Sequence, residues 1–381
     1  MTIYLVLFCL CWLPLLIGSR PSTASTCLLF AAATFFAGLR YETGYDWPVY
    51  SDFYETLNSV GNLAVFSSPA FVFWVHTFRS VGIDYLFFQL SVSVFLSFLL
   101  YLAFKSKARG ATYVSFLLYL AIVDLYLIHH FSILRQGVAL GLVWIGLRYY
   151  CKGKNNWYIF ILIASLFQVT ALMTFIGFAV TWVITKFRWA SLLLLIAGSI
   201  NFLFNIKSLS NFILFSSFSS EWIGLYLDRD TFDAGIVYRI YIFIWVIMSV
   251  LVIHLTRHHQ FKFLPEFIQE NVVGVAFTAP ILYLFTYDMP TVSSRISSFF
   301  GYGIILIIVE FVLSRRASHR ILAALIGFIL SSVLLIRFLG DPLSIVYVPY
   351  QTWFFNLDIE NSTGFERTHK LIDNLNFLWN L

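Results

Sequence analysis

Residues 84–104 read DYLFFQLSVSVFLSFLLYLAF, and no charged side chain follows Asp84 until Lys105. About 20 apolar residues make one bilayer-spanning helix, so this run reads as a span. Working outward, similar runs recur along the chain, punctuated by charge, Gly and Pro. They predict helices near 3–18, 24–39, 84–104, 111–129, 135–150, 156–168, 170–186, 190–206, 236–255, 270–286, 296–313 and 321–338. The expectation is an all-α, polytopic integral membrane protein of about 12 transmembrane helices, one membrane-embedded domain over residues 1–381. The 156–186 stretch is too long for one span and short for two, which points to a tight turn around Gln168. The opening run, MTIYLVLFCLCWLPLLIG, has no Lys or Arg before its apolar core and no small-x-small cleavage site. It reads as a retained first helix rather than a signal peptide.

Composition agrees with that reading. Of 381 residues, 60% are hydrophobic and only 11% charged, and the mean hydropathy is +0.84. A soluble domain carries about a quarter charged residues, so a disordered chain, a nucleic-acid-binding domain and an ordinary cytoplasmic enzyme are excluded. The 42 Phe, 21 Tyr and 11 Trp suit a chain solvated largely by lipid. The cysteines Cys9, Cys11, Cys27 and Cys151 have neither metal-ligand nor disulfide-framework spacing and read as apolar fillers.

Where the charge lies matters more than its sum of +5. Placing alternate loops on one side collects Arg20, Lys105, Lys107, Arg109, Arg148, Lys152, Lys154, Lys186, Arg188, Arg257, Lys262, Arg315, Arg316 and Arg320. These basic residues meet only Glu266, Glu270 and Glu310. Lys and Arg accumulate in cytoplasmic loops, so this side is expected inside, with both termini outside. The longer loops then fall on the outer, periplasmic face: 40–83, 207–235 and the tail 339–381. Within the first, Ala64–Arg79 (AVFSSPAFVFWVHTFR) is apolar but too short to span, and is expected as an interfacial helix.

Several polar residues on that face need an explanation. Arg40, Arg135 and Arg295 sit where helices meet it, Arg239 slightly inside a helix and Arg337 at the end of another. Any one of them reads equally as a snorkelling side chain. Together they suit an anionic ligand, because guanidinium binds phosphate as a permanently charged fork. Glu42 and Asp46 follow Arg40 closely, with Gly44 between them and Tyr41, Tyr45, Trp47 and Tyr50 around them. The alternatives are a solvated acidic loop in an interfacial aromatic belt, or an ion pair of Arg40 with Asp46. Asp124 interrupts an apolar run, where a carboxylate is a functional or pairing candidate. His129 and His130 follow it, too weak a pair to argue for a metal. The chain has no Walker A loop, no Rossmann glycine pattern, no HExxH and no GxSxG. The inner loops are too short for a nucleotide-sugar domain, so the substrate is expected to arrive already activated and carried by the membrane.

Four motifs resemble those of a known family. Gly38-Leu39-Arg40-Tyr41-x-x-Gly44-Tyr45-Asp46-x-x-x-Tyr50, after the second span, resembles the opening motif of the EpsG/Wzy-type bacterial polysaccharide polymerases. Leu134-Arg135-Gln136-Gly137-x-Ala139, opening a helix, is similar to a second. Arg295 before an aromatic-rich helix resembles a third, and Pro349-Tyr350 a weaker fourth. Gln168 departs from the pattern, since the family commonly has His there. The resemblance implies a glycosyltransferase that joins oligosaccharide repeat units, carried on undecaprenyl pyrophosphate, at the outer face of the bacterial inner membrane. It implies O-antigen or related surface polysaccharide as the product, with a chain-length regulator and a flippase as further partners. Asp46 or Glu42 would act as base, Arg40 would assist at the pyrophosphate, and Arg135, Gln136, Arg239, Arg295, Tyr50, Asp124 and His130 would line the substrate. With fixed guanidinium charges present, no metal or other cofactor is required. The rival readings are a flippase for the same lipid-linked oligosaccharides, and another membrane transferase such as an O-antigen ligase.

Overall fold

The computed structural model describes residues 2–19, 21–57, 68–108, 110–187, 189–204, 266–287, 290–314, 317–354 and 363–379. These residues are almost all helical: α1 Thr2–Leu16, α2 Thr23–Gly38, α3 Trp47–Thr56, α4 Pro69–Ser80, α5 Tyr85–Phe104, α6 Ala111–Ala121, α7 Val123–Leu127, α8 Leu134–Cys151, α9 Trp157–Phe167, α10 Thr174–Lys186, α11 Ala190–Phe204, α12 Glu266–Thr286, α13 Pro290–Ser314, α14 Ala317–Gly340 and α15 Gly364–Trp379. Two short strands, β1 Arg40–Tyr41 and β2 Gln351–Thr352, pair antiparallel. By length and composition four helical segments can cross a membrane: Tyr85–Phe104, Val169–Lys186, Ser293–Glu310 and Arg320–Gly340. A bent pair, Ala111–Ala121 with Leu125–Ser132, makes a fifth if counted as one span. On α14 the side chains of Leu322, Ile326, Leu330 and Val333 stand exposed along one stripe, a patch that water would not tolerate and lipid covers. This is an all-helical membrane protein. The expected helix at 236–255, the loop 207–235 and Arg239 lie outside the described residues.

Contacts divide the chain into two compact units. The first holds Met1–Ile145, Ile163–Val169 and Val312–Leu381. There α2 lies against α5: a Cβ on Gly38 would meet Leu90, and Thr34 donates to Ser97 Oγ at 2.7 Å. Close approach through small residues and hydroxyl pairs is how helices associate where lipid removes the hydrophobic drive between them. α1 packs on α14, with Trp12 over Gly327 and Phe8 stacked on Phe328 at 5.9 Å. The second unit holds Gly146–Leu162 and Thr170–Phe311. It follows the same rule, with Thr181 and Thr278 sharing a hydrogen bond of 2.7 Å and Gly177 facing Phe300.

One expected helix, 111–129, is broken. Ile122 is extended (φ −85°, ψ 98°), and the two halves bend by 86°. The second half restarts on the Ile122 carbonyl, which accepts from the amides of Leu125 and Tyr126. It then widens into a π-turn over Ile128–Ser132. Such a local widening marks a place where backbone carbonyls leave the regular ladder. Here the Phe131 carbonyl is released toward the first polar loop, as described next. Around Gln168 the helix breaks, α9 giving way to a 3₁₀ segment, Val169–Met173.

Candidate functional site

The loop between α2 and α3 is built from its backbone. Arg40 is fully buried and donates three hydrogen bonds, to the carbonyls of Ala37 (2.5 Å), Thr43 (3.1 Å) and Phe131 (3.0 Å). Its guanidinium lies 5.1 Å from the centre of the Phe131 ring. In this arrangement Arg40 closes the loop onto the π-turn through backbone carbonyls. Gly44 comes so close to the Phe131 carbonyl that a Cβ would lie 2.2 Å from its oxygen, and its φ of +114° suits glycine. The Gly44 amide donates to Val346 O (3.0 Å) and the Tyr45 amide to Ser132 Oγ (3.0 Å). Ser132 Oγ in turn pairs with the Tyr347 hydroxyl at 2.7 Å. Tyr350 donates to Phe36 O at 2.5 Å and stacks on the Phe36 ring. Three of the four motifs therefore meet in the first unit.

Asp46 is the N-cap residue of α3, with Pro48 placed where a missing N–H costs nothing. Its half-buried carboxylate makes no cap hydrogen bond. One turn later Tyr50 is buried, and its hydroxyl accepts from Arg135 Nε at 3.4 Å. Arg135 also donates to Ser68 Oγ at 3.1 Å and is half-buried in the first turn of α8. Burial pushes the Tyr50 phenol above its ordinary pKa, the charge of Arg135 pulls it back down, and the charge of Asp46 pushes it up. Acid and base thus act on one phenol. The start of α8 adds its own positive dipole end beside Arg135.

The other expected site residues have mixed placements. Gln136 is buried beside Arg135 in α8. Glu42 has a left-handed backbone (φ +48°), and its Oε2 accepts the amide of Gly364 at 2.6 Å. That carboxylate sits at the start of α15. His130 is fully buried, with Nδ1 at 2.8 Å from the Tyr119 hydroxyl and Nε2 at 3.4 Å from Ser97 Oγ, an arrangement that ties three helical segments together. Asp124 lies on the short α7. Arg295 belongs to the second unit, in the second turn of α13. Among the described residues, no three His, Cys, Asp or Glu side chains are grouped to hold a metal ion. Sequence reasoning missed Ser68, Ser132, Tyr347 and Arg367; none sits in a spacing that marks it, and only the fold brings them to the loop.

Fold and site together define a helical membrane protein with an arginine and a carboxylate gathered at one loop. The family model of the EpsG family matches residues 23–352, and the chain belongs to that family. Neither a curated protein nor a solved structure gives a match.

Proposed function

We propose that this protein polymerises undecaprenyl-pyrophosphate-linked oligosaccharide repeat units into O-antigen or a related surface polysaccharide, at the outer face of the bacterial inner membrane. Membership of the EpsG family supports a membrane polymerase of this kind. One observation carries the reading of the site: Arg135, 85 positions away in sequence, reaches Tyr50 one turn from Asp46. In the proposed reaction an acceptor sugar hydroxyl attacks the anomeric carbon of the donor unit. Asp46 takes the hydroxyl proton as general base. The bond from that carbon to pyrophosphate breaks, and the electron pair leaves with the lipid-linked pyrophosphate. Arg135 and the start of α8 hold the charge that develops there. Arg40 supports this arrangement by fixing the loop, and Glu42 by meeting α15. In this reading the chain has about twelve spans with both termini outside, as the distribution of Lys and Arg suggests, and the loop then faces the side where such substrates are displayed.

Purified protein supplied with lipid-linked repeat units tests the reading directly, a glycan ladder being the expected product and its absence the refutation. In that assay Arg135→Lys is expected to keep part of the activity, because Lys retains the charge and loses the two-pronged donor set. Arg135→Ala is expected to keep less. A wild-type ladder from the Ala variant at normal expression rules out a role for Arg135. The topology has its own check. Cysteines placed at Ser59, Ser219 and Ser362 are expected to react with an impermeant thiol reagent in cells whose outer membrane is permeabilised. Protection at all three reverses the orientation.

A further inference from the structure

We infer that the C-terminal helix α15 is a clamp on the loop that carries Asp46, with Arg367 as its positioning residue. The inference rests on the reading above only in assigning chemistry to that loop. α15 lies beyond the residues that the family model matches, and nothing in its sequence marks Arg367 as more than one charge on an amphipathic helix.

The loop needs outside support. Its strand pairing, Arg40 with Thr352 and Tyr41 with Gln351, is two residues long, far too short to be stable by itself. At Glu42 the backbone enters the left-handed region (φ +48°), which a residue with a side chain adopts only when its surroundings enforce it. Arg367 supplies that enforcement. It is 2% exposed, and its fork donates to Glu42 O, to Pro349 O at 2.8 Å and to Gln351 Oε1 at 3.5 Å. One guanidinium therefore grips the residue after β1, the residue before Tyr350 and the first residue of β2.

The helix is fixed at the same point. Thr363 and Glu366 form a reciprocal cap, with Glu366 Oε2 accepting the Thr363 amide (2.9 Å) and Thr363 Oγ1 accepting the Glu366 amide (3.2 Å). The start of α15 is thus defined without the loop. Onto that start the Glu42 carboxylate accepts the Gly364 amide, a favourable place for a negative charge. Phe365 meets Trp47 edge-on at 6.3 Å. The links fall on Glu42 and Trp47, which bracket Asp46. Gly364 leaves the room: a Cβ there would lie 2.8 Å from Glu42 Cβ and 2.9 Å from Glu42 O.

The test uses the purified full chain, with two readouts and two variants. Hydrogen exchange in peptides covering 40–47 is expected to quicken at least tenfold in Arg367→Ala, while α5 peptides stay within twofold of wild type. Polymerisation is expected to lose tenfold or more in kcat with KM little changed, since the clamp orients Asp46 and does not bind substrate. Arg367→Lys, with the charge but not the fork, is expected to fall between. Gly364→Ala guards against an Arg367→Ala chain that fails to fold. Alanine ordinarily favours a helix over glycine, so a role confined to α15 predicts slower exchange there and an unchanged loop. The clamp predicts a loosened loop and lower kcat. Loop exchange within twofold of wild type in both variants overturns the inference, and so does faster loop exchange with unchanged kcat. Should the wild-type protein make no polymer, the polymerase reading fails by itself, and the exchange arm still decides the clamp.

Discussion

Asp46→Asn is expected to lower polymerisation by about 10²–10⁴, the usual cost of losing a general base. The substitution is close to isosteric and is not expected to disturb the fold. The contacts that shape the loop run through the backbone: Gly44 to Val346, Tyr45 to Ser132 and Trp47 to Gly44. At the start of α3 the carboxylate makes no cap hydrogen bond, and the Asp46 carbonyl keeps its bond from the Tyr50 amide. A merely structural role for the carboxylate would lower the melting temperature together with the rate. Initial rates with purified wild-type and variant protein, alongside matched melting temperatures, separate the two. A variant that polymerises within a few-fold of wild type removes Asp46 from the role of base. Asp124 would then be the next carboxylate to test, since Glu42 already serves the start of α15.

Gly44→Ala is expected to abolish activity by a different route. The new Cβ would sit 2.2 Å from the Phe131 carbonyl oxygen and 2.8 Å from its carbon, both backbone atoms that cannot swing aside. The φ of +114° adds its own penalty for any residue with a side chain, of order 1–3 kcal/mol, and overpacking adds about 1–3 kcal/mol more. The Phe131 carbonyl cannot retreat freely, because it also accepts from Arg40. The loop is therefore expected to leave the π-turn, taking the Tyr45–Ser132 contact with it. Loss of hydrogen-exchange protection over residues 40–47, with the α5 peptides unchanged, measures that displacement. Full activity in Gly44→Ala at wild-type stability would show that the loop need not seat against the π-turn.

Much of the helical architecture was legible in the sequence. The run at 84–104 forms α5 almost to the residue, and the interruption at Gln168 falls between α9 and a 3₁₀ segment. Both follow from local quantities, the length of an apolar run and the interruption of it. The break at Ile122 was not legible, because the run 111–129 holds neither Gly nor Pro and its one carboxylate, Asp124, comes after the break. What bends it is held elsewhere in the fold, with Tyr126 bonded to Ala33 O and His130 to Tyr119.

The site divides in the same way. Composition and the distribution of Lys and Arg determined that this chain belongs in a membrane, and the glycine–arginine–aromatic pattern at 38–50 marked the loop proposed as the site, since chain-local properties set both. Which arginine holds the loop and which faces Asp46's neighbour was decided only by the tertiary structure. Arg40 and Arg135 look alike in sequence, each at a helix end beside polar residues. The difference is what surrounds them: Arg40 is enclosed by the carbonyls of Ala37, Thr43 and Phe131, while Arg135 meets the hydroxyls of Tyr50 and Ser68. A guanidinium carries five donors wherever it sits, and its role follows from the acceptors that distant parts of the chain bring to it.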